Sequence, residues 1–166
     1  MSAFDINESL ARARQRLEGE TRAPRADRGR LRLDPRMVEH LRELLGGDEK
    51  PCITDVVREL KRRGEQEGVR APSRGTVYQA MDKLPTRRHR VADLPSTVRS
   101  ALYNFDESSE VPEAQIAFYC FNYGTLAAVS FASGLPWLAL HQAAKMSGYR
   151  RKSRGLLDAA LTVRRI

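Results

Sequence analysis

The side chains between Ser73 and Gln79 are of the types that contact the base edges of a nucleic-acid duplex. Hydroxyl, guanidinium, phenol and amide groups occur there within seven residues, at Ser73, Arg74, Thr76, Tyr78 and Gln79. An Arg side chain matches the O6 and N7 acceptors of guanine, and a Gln side chain matches N6 and N7 of adenine. Arg74 and Gln79 are therefore candidates for direct base contacts, and the other three are candidates for contacts beside them.

Basic residues lie around this stretch and are candidates for contacts with phosphates. One cluster follows it directly in the sequence, and a second lies near the C-terminus. A solvated loop before a last helix, with Ser153 as the helix cap, explains the second cluster equally well. The predicted backbone contacts are Arg70, Lys83, Arg87, Arg88, Arg90, Arg150, Arg151, Lys152 and Arg154.

The charge of the chain favours a polyanionic partner. Its 166 residues include 29 Lys and Arg against 21 Asp and Glu, a net charge of +8. The excess lies at the two ends, +3 over residues 1–36 and +5 over residues 111–166, while the middle is balanced. Such an excess favours nucleic acid or an anionic membrane surface as a partner, but it does not determine the fold.

Other kinds of site have little support in the sequence. It contains no glycine-rich phosphate loop, no HExxH motif and no nucleophile elbow. Two cysteines and three scattered histidines suit neither a disulfide framework nor a zinc site. We therefore expect no enzyme activity, no cofactor and no metal. Residues 1–19 lack the apolar core of a secretory signal, so the reducing cytosol is the expected compartment.

Three short helices are predicted around the candidate contacts. Start signals stand at Asp34-Pro35, Thr54 and Ser73, and stop signals at Gly46-Gly47, Gly64 with Gly68, and Pro85. In the third helix, the spacing of Val77, Met81 and Leu84 predicts a buried face. Residues 86–94 are short and basic, and they are predicted to form a strand or a wing.

The segment 68–84 resembles the second half of a winged helix-turn-helix. A glycine followed by an apolar residue turns the chain, Ser73 caps the next helix, and the run Thr76-Val77-Tyr78 belongs to the reading helix. The resemblance covers about residues 34–94 and holds at the level of the superfamily. It implies a third helix in the DNA major groove, followed by a basic wing against phosphates or the minor groove.

A plain three-helix packing unit with solvated charges is the alternative for residues 34–94. Short capped helices are common in proteins, and the region 64–72 is longer than the ~3–4-residue turn of most helix-turn-helix motifs. The second helix must therefore extend to Glu67 if the reading helix is to dock in the usual way. The basic cluster directly after the third helix favours DNA binding over the plain packing unit.

The rest of the chain is predicted to form an arm and a helical unit. Residues 1–33 are predicted to be a basic arm, a helix followed by a flexible linker. This arm resembles basic arms that track DNA, and a disordered tail or a helix that binds a partner protein explains it equally well. Residues 95–166 are a helical C-terminal unit that supplies core and, we expect, a homodimer interface. Residues 106–112 are predicted to form an acidic loop, and residues 116–121, which are apolar on both faces, a buried strand or the start of a buried helix. The predicted helices include 126–132, 135–146 and 155–163, and the inward-facing residues of the last are Leu156, Leu157, Ala160 and Val163.

Weaker interpretations concern the uncharged part of this C-terminal unit. The turn at 132–136 faintly imitates a second helix-turn-helix, but the helix after it has almost no surface donors. The uncharged run 114–144 is longer than the ~20 apolar residues that a membrane span needs, but polar residues interrupt it. We therefore expect a soluble core and no membrane partner. Aromatic side chains could stack on unpaired bases, but with no basic residue between 111 and 144 a core is favoured. These aromatic residues are Tyr103, Phe105, Phe118, Tyr119, Phe121 and Tyr123.

Residues 126–160 also have a faint likeness to the helical segment that follows the winged helix in antitoxins of abortive-infection type. Together the observations predict a mainly α protein: a winged helix-turn-helix plus a C-terminal helical unit, with at most a small β element. The predicted function is sequence-specific binding of double-stranded DNA as a bacterial transcriptional regulator, with an autorepressing antitoxin as a variant. The alternative is a protein-interaction or accessory subunit of a larger nucleoprotein complex.

Overall fold

The computed structural model describes residues 33–163 of the chain, so nearly all of the predicted N-terminal arm lies outside the described residues. The described part is mainly helical and contains one small antiparallel sheet, which confirms the predicted fold class at this level. Its helices are α1 (Pro35–Leu45), α2 (Ile53–Glu67), α3 (Arg74–Lys83), α4 (Ser96–Ala101), α5 (Glu113–Tyr123), α6 (Leu126–Ser133), α7 (Trp137–Lys145) and α8 (Arg151–Val163). Its strands are β1 (Arg88–Arg90) and β2 (Glu110–Pro112).

Helices α1 and α3 begin at their predicted caps, whereas α2 begins at Ile53, one residue before the predicted Thr54, and has no side-chain cap. The Asp34 carboxylate accepts a hydrogen bond of 2.9 Å from the backbone N–H of Arg36, and Ser73 caps α3. Helix α2 does extend to Glu67 and ends at Gly68, which has a left-handed φ of 66°. The connection to α3 is therefore the six residues from Gly68 to Ser73, still longer than the usual turn.

A close backbone approach at Gly64 fixes the path from α2 to α3. The Gly64 carbonyl accepts hydrogen bonds from the backbone N–H groups of Gly68 and Val69, the latter at 2.9 Å. A Cβ atom at position 64 would lie only 2.6 Å from the Val69 carbonyl oxygen. Because only glycine fits there, this residue holds the turn against α2 and so sets where α3 begins.

An aliphatic core joins α1, α2 and α3. Its fully buried members include Met37, Leu41, Leu60 and Val77. At the surface, the Arg63 guanidinium bridges α1 and α2, at 2.6 Å from Glu43 and 2.8 Å from Glu59. Hydrogen bonds from Arg62 and then Arg63 lower the pKa of Glu59 to about 2.

The small sheet is not the hairpin that a wing requires. Strand β1 pairs antiparallel with β2, with His89 opposite Val111. A short 3-10 helix (Val91–Asp93) and α4 lie between the two strands in the sequence. The prediction of a strand within residues 86–94 is confirmed. A winged helix-turn-helix is not confirmed, because β1 is followed by helices and pairs with a strand that begins 20 residues further along the chain. The predicted acidic loop 106–112 likewise ends in β2.

Helix α5 lies at the centre of a second core, where it contacts α4, α6, α7 and α8. Of the two alternatives for residues 116–121, a strand or the start of a helix, the structure has the helix. Within the described range, no helix has both the length and the apolar character needed to cross a bilayer.

Helix α8 corrects two expectations about its own side chains. It begins at Arg151 rather than at Gly155, so Ser153 lies inside the helix and is 6% exposed instead of capping it. Ser153 and Leu157 are four residues apart and share the buried face. Leu156 and Val163, which were predicted to face inward, are 46% and 72% exposed.

Helix α7 belongs to both cores. Trp137 and Leu138 pack with α1, α2 and α3, whereas Leu140 and Ala143 pack with α5. The Gln142 side-chain amide donates hydrogen bonds to the carbonyls of Met81 and Leu84, at 2.9 and 2.8 Å. The residues described belong to one compact unit, and the division into 34–94 and 95–166 stays a prediction.

Candidate nucleic-acid interface

Helix α3 has one buried face and one exposed face. Val77 and Ala80 are fully buried and Met81 is 3% exposed, as expected for the side of an amphipathic helix that meets the core. Arg74, Tyr78 and Gln79 are exposed on the other side. The three predicted base contacts with the longest side chains are therefore accessible to solvent.

Ser73 and Thr76 are engaged with each other at the start of α3. The Ser73 hydroxyl accepts a hydrogen bond of 3.2 Å from the backbone N–H of Thr76, and the two hydroxyl oxygens are 2.9 Å apart. Thr76 is partly buried, whereas Ser73 is exposed. These two hydroxyls stabilise the helix end, which positions Arg74 one residue beyond the cap.

Arg74 and Tyr78 form a pair one helical turn apart. A guanidinium N–H of Arg74 donates to the Tyr78 hydroxyl at 3.4 Å, and the guanidinium carbon lies 5.8 Å from the centre of the phenol ring. This hydrogen bond is the largest cause of a raised pKa for Arg74, so the group keeps its charge. Because a guanidinium has five N–H donors, most remain available to acceptors outside the protein.

Gly75 lies near the middle of the exposed face and was missed by the sequence-based prediction. At 100° per residue, it falls between Arg74 and Gln79 on the helix surface. A Cβ atom there would meet nothing closer than the Ser73 hydroxyl, at 3.9 Å. Gly75 is the second residue of α3, and a glycine inside a helix costs up to roughly 1 kcal/mol relative to alanine. No contact within the described residues accounts for a glycine at this position.

Asp82 also lies on this face, and its charge is compensated. Its carboxylate hydrogen-bonds to Lys145 and lies 3.4 Å from His141 Nε2, both on α7. Burial opposes ionisation of Asp82, but these partners outweigh it and lower the pKa. A cleft of about 400 Å³ separates Tyr78 and Gln79 from the α7 side chains.

The basic residues around α3 have their charged groups free. Five predicted phosphate contacts are exposed and form no ion pair with any of the residues described: Arg70, Lys83, Arg87, Arg88 and Arg90. Alternation along β1 turns His89 inward, where its Nε2 is 2.9 Å from the buried carboxylate of Glu113. Arg88 and Arg90 consequently point to the solvent on either side of it.

The structure does not add the C-terminal cluster to this surface. Arg150 and Arg154 lie over the rings of Tyr123 and Tyr149, at 5.0 and 5.8 Å from their centres. Arg154 also pairs with Asp158, on its own helix. Arg150 and Arg154 thus contact side chains of α5, α8 and the loop before α8 rather than α3.

No group of three His, Cys, Asp or Glu side chains that could hold a metal ion occurs in residues 33–163. Comparison with known proteins finds no family model, no curated protein and no solved structure that matches the chain.

Proposed function

We propose that this chain binds double-stranded DNA in a sequence-specific way and acts as a transcriptional regulator. The observation that carries the proposal is the exposed face of α3, where Arg74, Tyr78 and Gln79 surround a glycine. Capping and a fully buried opposite face hold this helix in place. Rigid presentation matters because base recognition depends on hydrogen bonds with narrow geometric limits.

The dimensions of α3 suit the major groove. A helix with its side chains is about 10–12 Å across and the groove is about 12 Å wide, and the ten residues of α3 extend about 15 Å. Arg74 would pair with guanine O6 and N7, and Gln79 with adenine N6 and N7. Arg70, Lys83 and Arg88 would lie on flanking phosphates, where they add affinity without sequence preference.

A homodimer would place two copies of α3 on half-sites about one helical turn apart, roughly 34–36 Å. We assign the dimer contact to the helical part after residue 95, and the cytosol as the compartment. Two copies double the number of bases read, which gives the specificity that a single short helix lacks.

Selection of bound duplexes from a random pool tests this function directly. The full-length chain should enrich a motif, and Arg74→Ala should relax the preference at one position of it, at a cost of about 1–3 kcal/mol for the preferred base. Arg88→Ala should weaken all sequences about equally and reduce the salt dependence of binding. A pool that stays random after selection would overturn the proposal.

The strand pairing favours an accessory subunit of a nucleoprotein complex as the second candidate. Because β1 pairs with β2 across α4, the sheet offers no free hairpin to grip phosphates. This candidate predicts weak duplex binding by the isolated chain and a protein that co-purifies with it.

A further inference from the structure

A network of aromatic rings lies at the surface beside the C-terminal core. Tyr103 is 63% exposed and Tyr123 is 40% exposed, and their ring centres are 5.6 Å apart in an edge-to-face arrangement. Tyr119 lies 5.7 Å from Tyr123 and 6.4 Å from Tyr103. The prediction that these aromatic residues form core was therefore wrong for Tyr103 and Tyr123, although Phe121 is buried.

Two helices hold these rings in place. Tyr119 and Tyr123 are four residues apart on α5 and so share one of its faces, while Tyr103 follows the end of α4. Phe105 and Phe118 contact Tyr119 edge-on at 5.2 and 5.5 Å. We call Tyr103, Tyr119 and Tyr123 the tyrosine platform.

The hydroxyl groups of the platform have no hydrogen-bond partner among residues 33–163. By contrast, the Tyr149 hydroxyl donates to the Ala143 carbonyl at 3.0 Å, as a structural tyrosine usually does. Exposed rings with free hydroxyls do not stabilise the fold through polar contacts. They are available to a ligand.

No Lys or Arg residue occurs between 111 and 144 in the sequence, but the fold brings Arg150 next to the tyrosine platform. Arg150 lies 5.0 Å above the centre of the Tyr123 ring. Asn122, which is 5% exposed, accepts a hydrogen bond from the backbone N–H of Arg150 at 3.1 Å and donates to the Gly148 carbonyl at 3.5 Å. A buried amide thus fastens a cationic loop beside the platform.

Uncompensated positive charge continues from this point. Arg151 and Lys152 are exposed and form no ion pair in the described part of the chain. Both lie in the first turn of α8, a 13-residue helix, whose N-terminal end carries positive partial charge of its own. Like charges at one place repel each other, and a bound polyanion would relieve that repulsion.

We propose that the tyrosine platform binds unpaired bases of a single-stranded nucleic acid. A base stacks on Tyr103, the most exposed ring of the platform, and the phosphates lie against Arg150, Arg151 and Lys152. Phosphates account for the three cations and a base accounts for the exposed ring beside them, so one ligand matches both features of the surface. The site is separate from the duplex-binding face of α3 and does not depend on it.

Fluorescence anisotropy with a labelled oligothymidylate tests the platform. The matched control ligand is an abasic oligomer of the same length, which keeps the phosphates and removes the bases. We expect the thymidylate to bind more tightly, and Tyr103→Ala to weaken it by about 5- to 150-fold, the range for loss of one stacked base. Tyr103→Phe should retain binding because it keeps the ring.

Two further variants separate stacking from folding and from duplex binding. Arg150→Gln leaves every ring in place and should weaken both oligomers, since it removes a phosphate contact. Tyr78→Ala, on α3, should leave thymidylate binding unchanged. Thermal unfolding of each variant identifies any that fail to fold. If Tyr103→Ala is one of them, the stacking proposal is tested by the comparison of the two oligomers and by the expected binding of Arg150→Gln and Tyr103→Phe.

Equal binding of thymidylate and abasic oligomer would overturn the proposal, because stacking would then contribute nothing. So would loss of self-association by Tyr103→Ala in sedimentation with thymidylate binding intact, which would make the platform an interface between copies. Neither result depends on whether a duplex motif is selected, so the two proposals fail separately.

Discussion

Replacing Gly75 with alanine should stabilise the protein and weaken duplex binding at the same time. The added methyl group would project from the exposed face of α3 into open space, 3.9 Å from the nearest atom. Nothing in the folded chain opposes it. If α3 lies in the major groove, however, the same methyl group would meet the DNA at the closest point of approach.

Both magnitudes follow from this geometry. Alanine is better than glycine in a helix by roughly 0.5–1 kcal/mol, which raises Tm by about 1–4 °C in a chain of this size. A methyl group forced into a packed contact costs roughly 1–3 kcal/mol. That range weakens duplex binding by about 5- to 150-fold. The two effects have opposite signs, so loss of folding cannot imitate the expected result.

The assay pairs thermal unfolding with titration of the selected duplex at one salt concentration. Gly155→Ala is the matched control, because Gly155 is also an exposed helical glycine with nothing near its missing Cβ. It should gain similar stability and bind the duplex normally. If Gly75→Ala is more stable and binds as tightly as the unchanged chain, the middle of this face does not approach DNA and the docking model is wrong.

Two further predictions concern the supports of α3. Gly64→Ala should lower the free energy of unfolding by roughly 1–3 kcal/mol, since the new Cβ would lie 2.6 Å from the Val69 carbonyl; an unchanged urea midpoint would contradict this. Burial lowers the pKa of His141, Lys145 adds to this and Asp82 opposes it. The unfolded chain therefore binds more protons below pH ~6.5, so stability is full above that value and declines as pH falls below it. His141→Gln should flatten the decline between pH 7 and 5, and equal slopes in urea unfolding would argue against it. The lowered pKa of Asp82 adds a separate loss below pH ~4.

The helix ends around α3 could be predicted because their signals are local. Asp34 and Ser73 cap through side chains that reach two or three residues along the chain, and Gly68 terminates α2 by its own backbone conformation. The exposure of Arg74 and Tyr78 follows from helical periodicity once the start of the helix is known. The groups that determine these features are neighbours both in the sequence and in space, so a local pattern is enough to predict them.

Features that depend on distant residues could not be predicted in this way. Nothing near residues 88–90 indicates that the partner strand lies beyond α4. The start of α8 lies four residues before the predicted one, which places Ser153 inside the helix, and packing against the distant α5 and α7 decides that Ser153 and Leu157 rather than Leu156 form the buried face. The contact between Arg150 and Tyr123 joins residues 27 positions apart through a loop fixed by Asn122.

Packed side chains of α7, rather than a flexible linker, connect the exposed face of α3 with the tyrosine platform. Helix α7 buries Trp137 and Leu138 under α3 and buries Leu140 and Ala143 against α5, the helix that carries two platform tyrosines. Gln142 also bonds the two carbonyls at the end of α3. Because interiors are close-packed, α3 cannot shift far without moving α5. A nucleic acid that touches both surfaces must therefore match a fixed separation, and a duplex that opens into a single strand would present both kinds of ligand on one molecule.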